Sequence, residues 1–335
     1  MQIIDFFLLI LSLLYRIFQK IDFVIKSLLK KKLPQGVTVI SVGNLSLGGT
    51  GKTPFVIFLC ELLKNQKPVV LSRGYKRKNK EKMLLPDKDI LYGGKYGDEP
   101  ELIVREAKVP VVVHSNRYKG LKLSQNFGNL FILDDGFQHY QIERSVDILL
   151  LDVSIPLSHY RIFPLGRLRE PFSAVRRADI IVLTRFEDMK HETFEWLNKK
   201  LSENNINPDR IFKVFTVVNG IKDSQGRFVE IQNFQNKPVV AFAGIGNFDS
   251  FKNKVLKLFK NNTNINFLNF SDHHNYFESE IRKLKEYSDN GYLLLTTEKD
   301  AVKLYSLKPF VLSISIKIDD EKRFKDTLWN YIKFK

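Results

Sequence analysis

The sequence predicts an α/β fold in which helices flank a mostly parallel β-sheet. After Pro34, six short runs rich in Val, Ile and Leu lack period-two alternation, as expected of strands buried on both faces. Stretches of helical character lie between them and begin near Thr53, Asp98 and Asn116. This order of strands and helices is typical of a doubly wound sheet. The runs are Val37–Val42, Val69–Leu71, Val109–His114, Leu130–Leu133, Asp147–Leu151 and Ile180–Thr184.

The segment before Pro34 predicts a helix that lies on a membrane surface. Residues Ile3 to Leu14 are nearly all apolar, and basic residues then alternate with apolar ones up to Lys32. This run is shorter than the roughly 17–25 apolar residues of a spanning helix, and it lacks the features of a signal peptide. We expect an interfacial helix within residues 1–33, its lysines on anionic headgroups. The alternative is a helix packed on the protein's own core.

A second, smaller α/β unit is expected after residue 210. Ile211–Val218 and Phe228–Ile231 flank Asn219-Gly220 and a polar segment through Gly226, which predicts two paired strands. Further strands are expected at Val239–Ala243, Tyr292–Thr296 and Phe310–Ile314, and a last helix at Asp320–Lys333. We therefore divide the chain into the interfacial helix (1–33), a first α/β domain (34–210), a two-strand linker (211–236) and a C-terminal domain (237–335).

The overall charge points to an anionic partner. The 335 residues carry a formal net charge of +16, which favours nucleic acid, acidic lipid headgroups or a phosphorylated substrate. A hydrophobic share of 44% with 27% charged residues excludes a disordered chain. Cys60 is the one cysteine, so an internal disulfide is excluded, and no Cys/His cluster predicts a zinc site.

A glycine-rich segment between the first strand and the first helix predicts nucleotide binding and a P-loop NTPase type of sheet. Small residues let backbone N–H groups converge on phosphate oxygens, a lysine neutralises those oxygens, and a hydroxyl binds Mg²⁺. The strict pattern has glycine where this chain has Ser46. The residues expected to bind the nucleotide are Gly48, Gly49, Thr50, Gly51, Lys52 and Thr53.

A pair of acidic residues predicts a magnesium site. Asp134 and Asp135 follow the apolar run Leu130–Leu133. A phosphate-loop enzyme places such a carboxylate beside the Mg²⁺ that the loop hydroxyl holds. We therefore expect Thr53, Asp134 and Asp135 at the metal, with the order of the two acids open. The alternative is an acid that only caps the turn after its strand.

The chain resembles the tetraacyldisaccharide 4'-kinase family, the lipid A 4'-kinases, in the glycine loop and in an ordered set of short segments. No single segment is diagnostic, but the ordered set is, and Ser46 matches the family's own form of the loop. The predicted N-terminal helix also agrees with this resemblance, because the enzymes of the family sit on the inner membrane. The segments are Ser72-Arg73-Gly74-Tyr75, Gly97-Asp98-Glu99-Pro100, Asp134-Asp135-Gly136-Phe137-Gln138-His139, Leu168-Arg169-Glu170-Pro171, Asp272-His273-His274 and Thr297-Glu298-Lys299-Asp300.

The resemblance implies a phosphoryl transfer at the cytoplasmic face of a bacterial inner membrane. ATP with Mg²⁺ would donate its γ-phosphoryl group to the 4'-hydroxyl of a tetraacylated glucosamine disaccharide 1-phosphate, an acylated lipid. Asp98 would be the base and His273 its partner, with the role of His274 open. The residues alone favour another reading, because Asp98-Glu99-Pro100-Glu101 is also the pattern of a helix N-cap. No nucleic acid or protein partner is expected.

Further residues are candidates for contacts to phosphate or to the lipid. Arginine makes bidentate contacts to phosphate, and the resemblance implies that Arg169 and Glu170 face the active site. Arg73 lies at a strand end beside a small-residue turn, where a ligand is often bound. A surface ion pair is the alternative for each arginine. The candidates are Arg73, Tyr75, Arg117, Gln138, His139, Arg169 and Glu170.

Two other classes of function compete with the lipid kinase. The loop from Gly48 to Thr53 resembles the deviant loop of membrane-associated partitioning-type ATPases, which carry a signature lysine where this chain has Leu47. A basic module that binds nucleic acid would leave the complete phosphate loop unexplained. Thr297-Glu298-Lys299-Asp300 is similar to the N-K-x-D base reader of GTPases, but its lysine is displaced by one position, so it does not predict GTP.

Overall fold

A computed structural model describes residues 3–74, 82–86, 96–234, 237–260 and 264–333 of the chain. These residues form helices around a large, mostly parallel sheet, so the predicted fold class is confirmed. The elements are α1 (Ile3–Leu28), β1 (Thr38–Asn44), α2 (Lys52–Leu62), β2 (Val69–Ser72), β3 (Lys82–Leu84), α3 (Asp98–Ala107), β4 (Val111–Val113), α4 (Arg117–Ser124), β5 (Leu130–Asp134), β6 (Val146–Asp152), β7 (Ile180–Thr184), α5 (His191–Glu203), β8 (Ile211–Lys222), β9 (Phe228–Val229), β10 (Val239–Ala243), α6 (Phe248–Leu258), β11 (Ile265–Asn269), α7 (Glu278–Asp289), β12 (Leu293–Thr297), α8 (Glu298–Ala301), β13 (Phe310–Ile318) and α9 (Glu321–Lys333).

The first half of the sheet, β1 to β7, brings the two nucleotide motifs together. Strand β1 lies between β5 and β6 and is parallel to both, with Val42 opposite Asp134. All seven residues of β6 and all five of β5 are buried, as expected for strands covered on both faces. Because parallel neighbours end at the same edge, the glycine loop after β1 and the acids at the end of β5 meet there.

Strand β8 belongs to both halves of the sheet. Its first residues pair in parallel with β7, from Ile211 to Lys213, and the rest pairs antiparallel with β13. The predicted pairing with the run at Phe228 is confirmed in β9. However, Asn219-Gly220 does not form the turn that its sequence favours. The β8 strand continues through it to Lys222 with a register shift, and Gly220 adopts a φ of 142° that a side chain would strain.

The second half consists of β10 to β13 and the helices between them. Strands β10 and β12 are parallel neighbours, and β12 is parallel to β13. Strand β11 and helices α6 and α7 complete this unit, although the sequence pattern did not indicate them. The last helix, α9, packs back on the first half: the Phe324 ring lies 6.1 Å from Phe55 and 5.2 Å from Phe212. The division into domains at residues 211 and 236 stays a prediction.

Helix α1 lies on the outside of the protein with most of its apolar side chains exposed. Phe18 is 70% exposed and Leu28 is 82% exposed. Contacts to the body include Tyr15 with Phe163 and Phe23 with Tyr140, at ring separations of 5.5 and 4.7 Å. Within the described residues, no helix combines the length and the hydropathy needed to cross a membrane.

We expect the α9 contact to carry a large share of the stability. Phe324 is fully buried among aromatic rings, so Phe324→Ala leaves a cavity and should lower the free energy of unfolding by about 3–5 kcal/mol. Urea denaturation measures this change. Leu123→Ala, at a position 66% exposed on α4, is the matched control and should stay within about 0.5 kcal/mol. Equal losses in the two variants would contradict the packing argument.

Candidate active site

The glycine loop forms the floor of the site. Gly48 and Gly51 have φ values of 97° and 85°, in the left-handed region that glycine adopts without strain. Ser46 is not among the residues with positive φ, which explains why serine is tolerated where the strict pattern has glycine. The loop leads into α2 at Lys52. The N–H groups in the first turn of this helix are therefore available to bind an anion such as a phosphate group.

Lys52 is held at the mouth of the loop by oxygen atoms. Its Nζ lies 3.3 Å from Asn44 Oδ1 and 3.4 Å from Asp135 Oδ1. Asn44 is fully buried, and its amide donates to the Ser46 carbonyl at 2.9 Å. On the other side, Thr184 Oγ1 donates to the Thr50 carbonyl at 3.0 Å. The loop and its lysine are therefore pre-positioned for phosphate oxygens.

The two acids after β5 differ in environment. Asp134 is buried and accepts a hydrogen bond from Ser72 Oγ at 3.2 Å. Burial, and then the charges of Asp135 and Glu99, raise the pKa of Asp134 to about 6. Burial would also raise the pKa of Asp135, but Lys52 and Arg169 outweigh it and hold the pKa well below the ordinary aspartate value. A cation beside Asp134 would keep it ionised.

The donor set at this edge suits Mg²⁺. The predicted ligands Thr53, Asp134 and Asp135 offer one hydroxyl and two carboxylates, and the ion commonly takes one or two carboxylates together with phosphate oxygens and water. Within the described residues, no group of three or more His, Cys, Asp or Glu side chains could hold a metal by itself. This site therefore fits an ion that arrives with the nucleotide.

Asp98 lies at the start of α3 and faces the second half of the protein. The N-cap expected at Asp98 is wrong: the helix begins at Asp98, its N-cap is Gly97, and no side chain caps it. The Asp98 carboxylate instead forms an ion pair with Lys303 at 2.8 Å and lies 3.6 Å from His273 Nδ1. Burial would raise the pKa of Asp98, but His273 and Lys303 outweigh it and lower the pKa.

The two adjacent histidines face different surroundings. His273 has a φ of 57°, and its Nε2 lies 3.0 Å from Lys299 Nζ and 3.4 Å from Glu99. His274 instead stacks on Phe270 at 4.9 Å and meets Glu280 at 2.8 Å. The structure thus brings His273 to Asp98, whereas the ring of His274 is held within the second half.

Arg169, Glu170 and Gln138 form a bonded chain beside the loop. Arg169 contacts Asp135 at 3.1 Å. Gln138 Nε2 donates to both Glu170 Oε1 and the Asn44 carbonyl, each at 2.8 Å. Glu170 is 5% exposed and also meets Arg177 at 2.8 Å. Glu170 is therefore engaged by protein donors on both oxygens.

A positive region surrounds His139 and is formed by Arg73, Arg117, Arg144 and, from α1, Lys26. Arg73 and Arg117 line the cavity of about 670 Å³ that also contains the loop, Asp135 and His273. Burial, and then the charges of Arg117 and Arg144, lower the pKa of His139 to about 4. His139 is therefore neutral near neutral pH, within a positive field that favours an anion. Tyr75, the remaining candidate, lies outside the described residues.

Sequence reasoning missed several residues of this cavity. Lys299, on α8, lines it and pairs with Glu99, and Lys303, just after α8, pairs with Asp98. The long separation of these partners in the chain hides both contacts. Asp300 belongs to the segment that is similar to a base reader, but it is fully buried. It accepts hydrogen bonds from the Gly244 N–H at 3.0 Å and Thr297 Oγ1 at 2.8 Å, so its contacts are structural.

The comparisons with known proteins agree on one family. The LpxK family model, described as "Tetraacyldisaccharide-1-P 4'-kinase", matches residues 4–333. A "Tetraacyldisaccharide 4'-kinase" of Aquifex aeolicus is 37% identical over 312 residues, covering 89% of each chain. One of Halothermothrix orenii is 33% identical over 310 residues, covering 84% of this chain and 80% of the other.

A solved structure is also similar over nearly the whole chain. It is the crystal structure of "apo" form LpxK from Aquifex aeolicus in complex with ATP. Its TM-score is 0.74 at 34% sequence identity, and the match covers 97% of this chain and 98% of the other.

Lys52 should dominate nucleotide affinity. Lys52→Met removes the charge that would meet the phosphates, and the loss of a charged hydrogen bond of about 1.5–3 kcal/mol corresponds to roughly 10- to 150-fold weaker binding of ATP. Isothermal titration calorimetry with Mg²⁺ and ATP measures the affinity. Lys64→Met, at an exposed position beyond α2, is the control and should bind ATP normally. Unchanged affinity in Lys52→Met would contradict the loop assignment.

Proposed function

The chain belongs to the tetraacyldisaccharide-1-phosphate 4'-kinase family, and from this membership we propose which of its residues carry out the reaction and where the protein works. It is an ATP-dependent lipid kinase that phosphorylates the 4'-hydroxyl of a tetraacyl disaccharide 1-phosphate in lipid A biosynthesis. The alternative of a partitioning-type ATPase is therefore set aside.

Residues of the first half hold the nucleotide in this proposal. Backbone N–H groups from Gly48 to Thr53 bind the phosphate oxygens, and Lys52 neutralises them. Thr53, Asp134 and Asp135 would hold Mg²⁺, which would neutralise charge on the transferring group. Lys52 lies 3.4 Å from Asp135 Oδ1, which supports a shared role of loop and acids at one phosphate site.

Asp98 accepts the proton of the sugar hydroxyl. Its depressed pKa keeps the carboxylate ionised at neutral pH, so it can take a proton as the hydroxyl oxygen forms its bond to phosphorus. His273, at 3.6 Å, orients the carboxylate as it takes the proton. The proximity of Asp98 to His273, which lines the cavity that contains the phosphate loop, is the observation that carries this assignment.

The anionic end of the lipid lies in the positive region near α1. Arg73 and Arg117 contact a phosphate oxygen of the lipid, and His139 donates or accepts a neutral hydrogen bond there. Arg169 stays with Asp135 near the transferring phosphoryl group. Gln138 donates a hydrogen bond to Glu170, and this pair stabilises the part of the site between the two phosphate positions. Tyr75 follows Arg73 and Gly74 in the chain and is a further candidate for the lipid.

Helix α1 holds the protein on an anionic membrane at its cytoplasmic face. Its exposed apolar side chains, such as Phe7, Phe18 and Leu28, would enter the acyl region. Lys30, Lys31 and Lys32 follow the helix and would meet acidic headgroups. Because α1 contacts Tyr140 close to His139, the lipid headgroup would reach the cavity from the same surface.

The base assignment is tested by Asp98→Asn, which keeps the shape of the side chain and removes its basicity. We expect kcat to fall by roughly 10²- to 10⁴-fold while ATP affinity stays normal. Transfer of labelled γ-phosphoryl to tetraacyldisaccharide 1-phosphate in detergent micelles measures the rate. Asp289→Asn, an exposed acid on α7, is the control. Near-normal turnover of folded Asp98→Asn would show that another group takes the proton.

The membrane assignment is tested by Phe18→Asp combined with Leu28→Asp. Each change removes an exposed apolar side chain worth about 1.5–3 kcal/mol when buried, so binding to vesicles with anionic lipid should weaken at least about tenfold. Co-sedimentation with vesicles measures binding. Leu123→Asp, exposed on α4, should bind normally. Undiminished binding of the double variant would rule out α1 as the attachment.

A further inference from the structure

A lysine outside every motif described above is buried at the junction of the two halves. Lys303 follows α8, and its side chain is only 10% exposed. A lysine is rarely buried to this degree unless its ammonium group is paired, because removing the charge from water is costly. The partners of Lys303 therefore decide why it is there.

The Lys303 ammonium group contacts both halves of the protein. Its Nζ lies 2.8 Å from Asp98 Oδ2 on α3 and donates to the His274 carbonyl at 3.0 Å. The second contact fixes the backbone beside His273, whose own N–H donates to the Gly244 carbonyl at 3.1 Å. One cation thus joins the carboxylate of the first half to the histidine loop of the second half.

Lys303 is closer to Asp98 than His273 is. The distances to Asp98 Oδ2 are 2.8 Å for Lys303 Nζ and 3.6 Å for His273 Nδ1. Both of these contacts fall on the same oxygen, Oδ2. A charged hydrogen bond of this length fixes the rotation of a carboxylate more firmly than the longer contact to the ring.

Asp98 has both positively and negatively charged groups around it. Lysines of the α8 segment supply positive charge, and burial opposes ionisation. Acids nearby supply negative charge, so the carboxylate depends on close cations to stay ionised. The titratable and charged groups that face Asp98 are Lys299 and Lys303 of the α8 segment, Asp272, His273 and Tyr276 before α7, and Glu99 on α3 itself.

We propose that Lys303 is a positioning residue for the phosphoryl transfer: it holds the Asp98 carboxylate ionised and turned toward the cavity, and ties it to the loop that carries His273. The proposal rests on the assignment of Asp98 as the base. Lys303 itself neither accepts the proton nor contacts the phosphoryl group. The proton moves from the sugar hydroxyl to Asp98, and the oxygen that loses it bonds to the γ-phosphorus of ATP. The bond from that phosphorus to the bridging oxygen breaks, and ADP leaves with the electron pair.

The test is the pH dependence of the rate in the full-length protein, with ATP and tetraacyldisaccharide 1-phosphate in micelles. Lys303→Met removes the charge and keeps the length of the side chain. We expect kcat to fall roughly 10- to 100-fold with little change in the KM for ATP. Without the cation the pKa of Asp98 rises, so the acidic limb of the rate profile should move to higher pH.

Two further variants at Lys303 separate charge from packing. Lys303→Gln still donates to the His274 carbonyl but carries no charge, and it should shift the acidic limb as Lys303→Met does. Lys303→Arg retains the charge and should leave the limb in place. If Lys303→Met does not fold, the comparison of the Gln and Arg variants decides. An acidic limb that stays in place in every neutral, folded variant would overturn the proposal.

Lys254→Met is the matched control for loss of a buried ion pair between the halves. Lys254 is 11% exposed and contacts Glu187 and Asp188 at 3.0 and 3.1 Å. The Lys254→Met variant should have a lower midpoint of thermal unfolding, but the acidic limb of its pH–rate profile should stay in place. An equal shift in Lys254→Met would mean that general loosening explains the effect, and the proposal would fail. Full activity of Asp98→Asn would instead refute the base assignment on which the proposal rests.

Discussion

The antiparallel pairing of β8 with β13 is the constraint on which the site depends. Strand β8 begins as an edge partner of β7 and then extends beyond the sheet of the first half, where β13 pairs along it from Lys222 to Val214. The second half is therefore hydrogen-bonded to the first as one continuous sheet. After β13 the chain returns in α9 to pack on α2, so this half is held at both of its ends.

This arrangement places backbone from the second half directly over the phosphate loop. A Cβ at Gly246 would lie 3.5 Å from the Gly49 nitrogen, in ordinary van der Waals contact, so the two backbone segments are close neighbours. The same loops support His273 through the Gly244 carbonyl. Opposite charges then join the halves at Asp98, Glu99 and Lys299, in a protein whose net charge is +16. At this junction the acids Asp98 and Glu99 therefore have cationic partners.

Local patterns in the sequence predicted the local parts of the structure well. The glycine loop, the buried strands and the acids after β5 depend on residues that are close in the chain, so their spacing carries the information. Strand β11 was missed because none of its five residues is fully buried, which weakens its apolar signal. Asn219-Gly220 was expected to form a turn, but it lies within strand β8. The expectation was wrong because a flexible pair that favours a turn also suits a bulge within a long strand.

The contacts across the cavity could not be predicted from spacing. Lys303 is one of many lysines, and only the three-dimensional path of β8 and β13 brings it to Asp98. The apparent N-cap pattern at Asp98 shows the same limit, since the carboxylate is drawn from the helix end by a cation far along the chain. Resemblance to a family implied that Asp98 and His273 act together, and the structure brings them within 3.6 Å, but their catalytic roles stay predictions.

The order of the elements in the chain is also the order in which the ribosome synthesises them. Helix α1 emerges before the other described elements, whereas β13, which completes the pairing of β8, follows about 280 residues later, or roughly 15 to 55 s at typical rates of synthesis. During that interval the apolar face of α1 is already made, but the part of the protein that carries Lys303 and His273 is not. With the proposed role of α1, a nascent chain would reach a membrane well before it could consume ATP.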